Sequence, residues 1–165
     1  MRYEHLVEIN DPLHPLLTPM TREQLWRGLV RRAYAPQEFI YGLDSAVVDE
    51  MPSDDASRVL GRTLDYGTFT VRDVVRLREN ESVCTDVEPG SEWPRSRLMI
   101  SIEEPQKDRL YLRFLYEWDE VAVGGELDGI ALSIRRQAYH AADLDTVVRL
   151  RELADEDRPA GGDRF

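Results

Sequence analysis

The sequence predicts an α+β fold: a seven-stranded antiparallel sheet that curves around one long C-terminal helix, with two short helices after the first strand. Short runs of alternating apolar and polar residues recur about every ten residues, and the turns between them are too short for helices that cross the sheet. Near Glu126 the apolar spacing changes from every second residue to that of a helix, and it stays so for about 26 residues. One long amphipathic helix is enough to cover one face of a strongly curved sheet.

The first strand and the two short helices have their own signals. Residues 2–10 alternate in polarity, as expected of a half-buried strand. Three prolines follow and exclude a helix or a central strand before Thr21. Thr21, with Gln24 three residues later, has the pattern of a capping box, and Pro36 suits the first turn of a second short helix. The inner face of the first strand is expected to carry Tyr3, His5, Val7 and Ile9.

Six further strands and the long helix complete the chain. The strands are predicted at 43–50, 58–66, 69–78, 81–87, 95–104 and 109–118. The helix is predicted from Glu126 to about Leu153, within a single domain over 1–154 that is followed by a disordered tail over 155–165. Its buried stripe is expected to contain Leu127, Ile130, Ala131, Ile134, Ala138, Ala141, Ala142, Leu144, Val148 and Leu150. Its outer face is expected to carry Arg135, Arg136, Asp143, Arg149 and Arg151.

Composition excludes several classes of partner. The chain has 32 acidic and 21 basic residues, a net charge of −11. A strongly negative field repels phosphate backbones and anionic lipids, so neither nucleic acid nor membrane insertion is expected. We find no pattern of a secretory signal and no apolar run long enough to span a bilayer. Cys84 is the only cysteine, which favours a reducing compartment, and we expect a soluble cytoplasmic protein.

Four segments of the sequence resemble a known family. They are 3–44, which begins YEHLVEIND, MISIEEP at 99–105, LYLRFLYEW at 110–118, and AYHAADLDTVVRLREL at 138–153. These segments are similar to the AtaL-like subgroup of the SRPBCC superfamily, which includes the START, Bet v 1 and polyketide-cyclase-like proteins. The resemblance implies a helix-grip fold, in which the sheet grips the long helix, and a hydrophobic ligand cavity. It implies no reaction, because it brings no catalytic residues with it.

Strand parity predicts which side chains face the helix and the cavity, because every second residue of a strand lies on the same face. The predicted ligand-binding residues are His5, Phe69, Asp73, Ile100, Phe114, Tyr116, Trp118, Ile134 and Tyr139. Most of them are aromatic or aliphatic. His5, Asp73 and Tyr116 are therefore the scarce polar groups of this interior, and Tyr139 adds a fourth at the edge of the helix stripe.

His5 and Asp73 are the candidate catalytic residues. An imidazole and a carboxylate that share an apolar pocket can act as an acid–base pair and enolise or cyclise a bound ketone. The alternative is that the two side chains satisfy unrelated backbone groups, or that a bulge exposes Asp73 to solvent. Parity alone leaves both open, because a strand register slips easily.

Other motifs are read as structural. The three histidines have no metal-ligand spacing, and no phosphate-binding loop is present, so we expect neither a metal nor a cofactor. Gly124–Gly125 is interpreted as a turn, Cys84 as an inert strand residue, and the acidic pairs at Asp54–Asp55 and Asp155–Asp157 as solvated surface. Four aromatic residues can line the cavity mouth or anchor the short helices to the sheet: Trp26, Tyr34, Phe39 and Tyr41.

Three functions are compatible with this sequence. The favoured one is a small protein that binds a hydrophobic molecule, such as a lipid, a polyketide or an aromatic metabolite, because it needs only an apolar cavity and a few orienting hydrogen bonds. The second is an enzyme of the polyketide cyclase or aromatase kind, with His5, Asp73 or Tyr116 as acid–base groups. The third is a protein-interaction module related to stress or assembly, and a homodimer is a further partner to consider.

Overall fold

The computed structural model describes residues 1–53, 55–120 and 126–157. Its helices are α1 (Arg22–Tyr34), a short 3-10 helix (Pro36–Glu38) and α2 (Glu126–Glu156). Its strands are β1 (Arg2–Asn10), β2 (Ser45–Met51), β3 (Arg58–Asp65), β4 (Thr70–Arg78), β5 (Ser82–Val87), β6 (Ser96–Gln106) and β7 (Arg109–Trp118). Element order and type agree with the prediction.

All seven strands form one antiparallel sheet with the order β1-β7-β6-β5-β4-β3-β2. Strands β2 to β7 are sequential neighbours, whereas β1 pairs with β7 at the opposite end of the chain. The α+β helix-grip fold is therefore confirmed: a curved antiparallel sheet with the long C-terminal helix against it. The interior is built by inward-facing strand residues such as Leu60, Ile100, Leu112 and Phe114, which are almost completely buried.

Local sequence signals explain how α1 is placed. Thr21 Oγ1 accepts a hydrogen bond from the Gln24 backbone N–H, and the Gln24 side chain accepts one from the Thr21 N–H, which is the predicted capping box. One turn later Gly28 lies against Leu150 of α2, where a Cβ on Gly28 would overlap the Leu150 side chain. The absence of a side chain at Gly28 thus lets the two helices approach closely.

The long helix is rotated relative to the prediction. Its buried side chains, among the described residues, are Asp143, Thr146, Val147, Leu150, Leu153 and Ala154. Eight residues that were predicted to be buried are exposed: Ile130, Ala131, Ile134, Ala138, Ala141, Ala142, Leu144 and Val148. The predicted burial of Leu127 falls outside the side chains that the structure describes. Asp143, predicted on the outer face, is only 1% exposed, because Tyr116 of β7 donates a hydrogen bond to its carboxylate. Val147 and Leu150, one and two turns further on, lie on the same face as Asp143.

Some predictions fall beyond what the structure describes. The Gly124–Gly125 turn, Asp54 and the part of the predicted tail after Asp157 lie outside the described residues. Asp155 and Glu156, the first residues of that tail, belong to α2, which ends later than the predicted Leu153. In the described part of the chain, no helix is both long and apolar enough to cross a membrane.

Candidate functional site

An apolar pocket of about 760 Å³ opens between the N-terminal half of α2 and the ends of the central strands. Its wall on the sheet side is aromatic: the Tyr66 and Phe69 rings stack with centroids 4.8 Å apart, and Trp93 lies 5.6 Å from Phe69. Its wall on the helix side includes Ile134 and Tyr139. We call this space the apolar pocket. Its chemistry suits a flat or aliphatic ligand rather than an ion.

The loop between β5 and β6 is built to hold Trp93 at the apolar pocket. The Trp93 indole N–H donates to the Glu88 carbonyl at 3.0 Å, and the Gly90 N–H donates to the Trp93 carbonyl at 3.0 Å. A Cβ at Gly90 would overlap the indole ring, so only glycine allows Trp93 to lie over this loop. The aromatic wall is therefore held by local hydrogen bonds.

The predicted ligand-binding residues separate into two groups. Phe69, Ile134 and Tyr139 line the apolar pocket, whereas Ile100 and Phe114 are 1% exposed and belong to the packed core. Phe69 and Ile134 are 45% and 62% exposed, because the pocket that they line is open to solvent. Phe69 comes one residue before β4 begins and stacks on Tyr66.

Trp118, at the end of β7, is buried beside the helix rather than in the apolar pocket. Its ring meets Tyr139 edge-on at 5.8 Å, and the Arg135 guanidinium lies 5.1 Å from the ring centroid. The buried position agrees with strand parity. The cation–π contact stabilises Arg135 on this face of α2.

A polar cluster joins β1, β7 and α2 beneath the helix. The Tyr116 hydroxyl donates to one Asp143 carboxylate oxygen at 2.5 Å, and His5 Nδ1 lies 3.2 Å from the other. The His5 ring stacks on His140 with centroids 4.1 Å apart, and the Tyr116 ring stacks on Tyr139 at 3.8 Å. We call His5, Tyr116 and Asp143 the polar cluster. It gives a buried carboxylate two hydrogen-bonding partners.

The electrostatics of the polar cluster follow from burial. Loss of water raises the pKa of Asp143, although the hydrogen bonds from Tyr116 and His5 oppose this. Burial and the Asp143 charge together raise the pKa of Tyr116 far above that of a free tyrosine. Tyr116 therefore remains a proton-bearing hydrogen-bond donor at every physiological pH, and Asp143 is the group whose protonation can change.

The hypothesis of a His5–Asp73 pair is wrong, because each residue has another partner. Asp73 of β4 accepts two hydrogen bonds from Arg62, at 2.8 and 2.7 Å, and Arg62 also donates to the Ala33 carbonyl at 2.9 Å. Arg62 lies directly opposite Asp73 in the β3–β4 ladder, and both are buried. Parity placed Asp73 correctly inside. Parity also places Arg62 inside, between Leu60 and Leu64, and that signal was missed.

Asp143 was missed for a similar reason. The sequence pattern assigned it to the outer face of α2 because it is charged. Thr146, Val147 and Leu150 follow it at three, four and seven residues, which is the spacing of one helix face. That spacing was the available signal for a buried aspartate.

Arg32, in the last turn of α1, is a further interior residue that sequence analysis did not single out. Its Nε atom is buried without a hydrogen-bond partner, and none of the described residues forms an ion pair with its guanidinium. Burial lowers the pKa of Arg32, and Tyr116, Arg62, Asp143 and Asp73 are near enough to influence it. This guanidinium is a strong donor that lacks an acceptor within the described chain.

Four aromatic residues near the short helices were candidates for the cavity mouth or for anchoring those helices. Trp26 is buried in the core, and Phe39 packs against the core from the 3-10 helix. Tyr34 donates to Glu50 at 2.7 Å, and Tyr41 is fully exposed. The anchoring role is therefore the better account of Trp26 and Phe39.

One surface group brings possible metal ligands together. Glu8, Asp11 and His14 place one donor atom each within 4.8 Å of one another. His14 Nδ1 already lies 3.0 Å from Glu8, and Asp11 lies 3.5 Å from Arg109. Exposed carboxylates often meet a histidine in this way without an ion, and these three have protein partners.

Comparison with known proteins gives one family. The family model described as "AtaL: Acetylaranotin biosynthesis cluster protein L" matches residues 7–157. The search of curated proteins found no match.

Solved structures show the same fold at low sequence identity. The Zhui aromatase/cyclase from a Streptomyces species has a TM-score of 0.61 at 16% identity, with 98% of each chain covered. A START superfamily protein from Mycobacterium smegmatis has a TM-score of 0.59 at 11% identity, covering 94% of this chain and 97% of that one. The di-domain aromatase/cyclase StfQ of the steffimycin biosynthetic pathway has a TM-score of 0.66 at 10% identity. This chain is covered to 94% and spans 51% of StfQ, about half its length.

Proposed function

The chain belongs to the family of acetylaranotin biosynthesis cluster protein L, an SRPBCC-like family, and from that premise we propose that it binds a hydrophobic small molecule in the apolar pocket. The observation that carries the proposal is the pocket itself, which joins aromatic side chains from the sheet ends to aliphatic ones from α2. Its volume of about 760 Å³ is within the range of small-molecule sites.

The shape of the aromatic wall favours one class of ligand. Tyr66 and Phe69 stack nearly parallel, with 13° between their planes, and Trp93 is tilted by 52° to Phe69. A flat ring system can contact such faces over a large area, and each aromatic contact adds to simple burial. Of the lipid, polyketide and aromatic metabolite considered from the sequence, an aromatic or polyketide-derived molecule fits this wall best. A cytoplasmic location and a homodimer stay predictions from the sequence.

Titration calorimetry with methyl 2-naphthoate, a neutral flat probe, tests the proposal. Ile134→Asp places a charge on the wall of the apolar pocket, at a position that is already solvent-exposed, so the fold is expected to survive. We expect this variant to bind the probe about tenfold more weakly, because desolvating a carboxylate against an aromatic ring is costly.

Ile130→Asp is the matched control, one turn earlier on the same helix. Ile130 is 59% exposed and does not line the pocket. Ile130→Asp is therefore expected to leave the affinity for methyl 2-naphthoate unchanged. Equal losses in both variants, or no binding by the unmodified protein, would contradict the proposal.

The polar cluster supports a second candidate function, acid–base catalysis on a bound ketone. Tyr139 lines the apolar pocket and stacks on Tyr116, which donates to Asp143, so the cluster adjoins the pocket wall. In such a reaction the Tyr116 hydroxyl turns from Asp143 to donate its hydrogen bond to the carbonyl oxygen of the ketone. Asp143 then takes up the proton next to that carbonyl, and the enolate oxygen keeps the hydrogen bond from Tyr116. Exchange of that proton for solvent deuterium in an aromatic ketone, followed by NMR, distinguishes catalysis from binding alone.

A further inference from the structure

Arg32 is a partly buried cation that has no ion pair among the described residues. It is the last arginine of α1, and Tyr116 of β7 and Asp143 of α2 are near enough to influence its charge. The Nε atom is inaccessible to solvent, and no acceptor for it occurs among the residues that the structure describes. Leaving a charged donor unpaired in a protein interior costs more than leaving it in water. A position of this kind calls for a partner from outside the chain.

The nearby carboxylates do not supply that partner. Asp73 is bound through both oxygens by Arg62. Asp143 is bound through one oxygen by Tyr116 and through the other by His5. Both carboxylates influence Arg32 only at a distance, without an ion pair to it. Among the described residues, two arginine Nε atoms are buried without a hydrogen-bond partner, those of Arg32 and Arg109. Arg109 has an ion pair with Asp11, whereas Arg32 has none in the described part of the chain.

Arg32 lies close to the inner walls of the apolar pocket. Tyr66, on the sheet side of the pocket, has Arg32, Arg62 and Asp73 as its charged neighbours. Tyr116, which is near Arg32, stacks on Tyr139 of the helix side. A molecule whose body lies in the pocket would therefore direct its inner end between Tyr66 and Tyr139, toward the guanidinium.

We propose that Arg32 binds the carboxylate of a ligand whose apolar body occupies the apolar pocket, so that the natural ligand is an aromatic or long-chain carboxylic acid. The inference rests on the proposed function and names the ligand class of the same site. A guanidinium matches a carboxylate with two parallel N–H···O bonds, and burial strengthens such a pair. The pocket supplies affinity for the body, and Arg32 selects the charged end.

The test compares 2-naphthoate with its methyl ester by titration calorimetry at pH 7. The two probes share the same ring system, and the ester lacks the charge and carries one additional methyl group. The unmodified protein is expected to bind the acid at least about tenfold more tightly than the ester, since a charge-assisted contact is lost in the ester. Arg32→Met is expected to abolish this preference while ester binding stays within about twofold. Arg27→Met, an exposed arginine of the same helix with only a distant contact to Asp157, is expected to keep the preference.

Two results separate failure of this inference from failure of the proposed function. If the ester binds and the acid binds no more tightly, or if Arg32→Met keeps the preference, Arg32 is not the anchor and the pocket function stands. If neither probe binds the unmodified protein, both are overturned. Thermal unfolding adds a measurement without ligand: Arg32→Met is expected to melt at an equal or higher temperature, because it removes an unpaired interior charge. A melting temperature lower by more than about 5 °C would mean that the guanidinium has a stabilising partner, and would overturn the inference.

Discussion

The protonation of a single side chain, Asp143, controls the character of the polar cluster. When it is ionised it accepts hydrogen bonds from Tyr116 and His5, and when it is protonated one of these bonds must change direction. The His5 ring is also stacked on His140, with ring centroids 4.1 Å apart. Residues of β1, β7 and α2 are therefore coupled through one carboxylate.

The raised pKa of Asp143 predicts how stability depends on pH. Below the ordinary value of 3.8 the carboxyl is protonated in both the folded and the unfolded chain, and no penalty exists. Above 3.8 the folded state must ionise a buried group, so this contribution falls as pH rises through the raised pKa. Asp143→Asn removes the titration and keeps the shape. We expect the stability of the unmodified protein relative to this variant to decrease as pH rises from about 4 to about 7, as measured by urea unfolding.

Asp145→Asn is the control, because Asp145 is an exposed aspartate two residues away on the same helix. It removes a carboxylate from the same helix without touching the polar cluster, so its pH profile is the reference for the one of Asp143→Asn. A difference for Asp143→Asn that moves in the opposite direction would mean that the hydrogen bonds of Tyr116 and His5 outweigh the cost of burial.

At the scale of elements, the crossing of α1 and α2 determines how the helix covers the sheet. Gly28 lies against Leu150, which is 1% exposed and is therefore enclosed by other residues. Alanine normally stabilises a helix relative to glycine by up to about 1 kcal/mol. At Gly28 the added methyl group must push the helices apart, which costs about 1–3 kcal/mol. Gly28→Ala is therefore expected to lower the free energy of unfolding by about 1 kcal/mol or more.

Gly129 of α2 provides the opposite case in the same protein. A Cβ there has nothing within 4 Å, so only the helix propensity changes. Gly129→Ala is expected to be neutral or to stabilise by up to about 1 kcal/mol in the same urea unfolding experiment. If both alanine variants were stabilising, the close approach of the two helices at Gly28 would be incorrect.

The elements also show what the sequence could and could not predict. Alternation and turn lengths were sufficient for every strand, because hairpin pairing is local and needs no knowledge of distant residues. The rotation of α2 was not predictable from apolar residues alone, since its N-terminal half leaves Ile130 and Ile134 exposed while Asp143 is buried. A buried carboxylate depends on its partners, and the partner His5 is 138 residues away in sequence.

At the scale of the whole molecule, the polar cluster exists only when β1 meets β7 and α2. Tyr3 of β1 pairs with Tyr116 of β7, and α2 then packs across both strands. Strand parity predicts which residues face the interior, and it placed His5, Asp73 and Tyr116 there. Parity does not predict which of these side chains contact each other, because those contacts depend on how the strands and helices pack. The pairing of Arg62 with Asp73, and the lack of a partner for Arg32 among the described residues, could therefore be seen only in the folded structure.

The net charge of −11 opposes the binding that Arg32 is proposed to provide, and salt separates the two effects. The field of the whole surface acts over long distances and is screened beyond about 10 Å at 0.1 M salt, whereas a buried contact is screened much less. Raising NaCl from about 20 to about 200 mM is therefore expected to tighten binding of 2-naphthoate about two- to threefold, because repulsion of the approaching anion weakens first. Binding of the neutral methyl ester should not change.

The direction of the salt effect shows whether the acid is attracted by a buried or by an exposed cation. If affinity for the acid falls as salt rises, the attraction acts from exposed arginines and not from a buried guanidinium. Arg32→Met provides the second comparison, since it leaves a site that meets the same negative field without the local cation. The affinity of this variant for 2-naphthoate should be low, and it should still rise with salt by a similar factor. The surface charge that repels the anion is almost the same in the variant and in the unmodified protein.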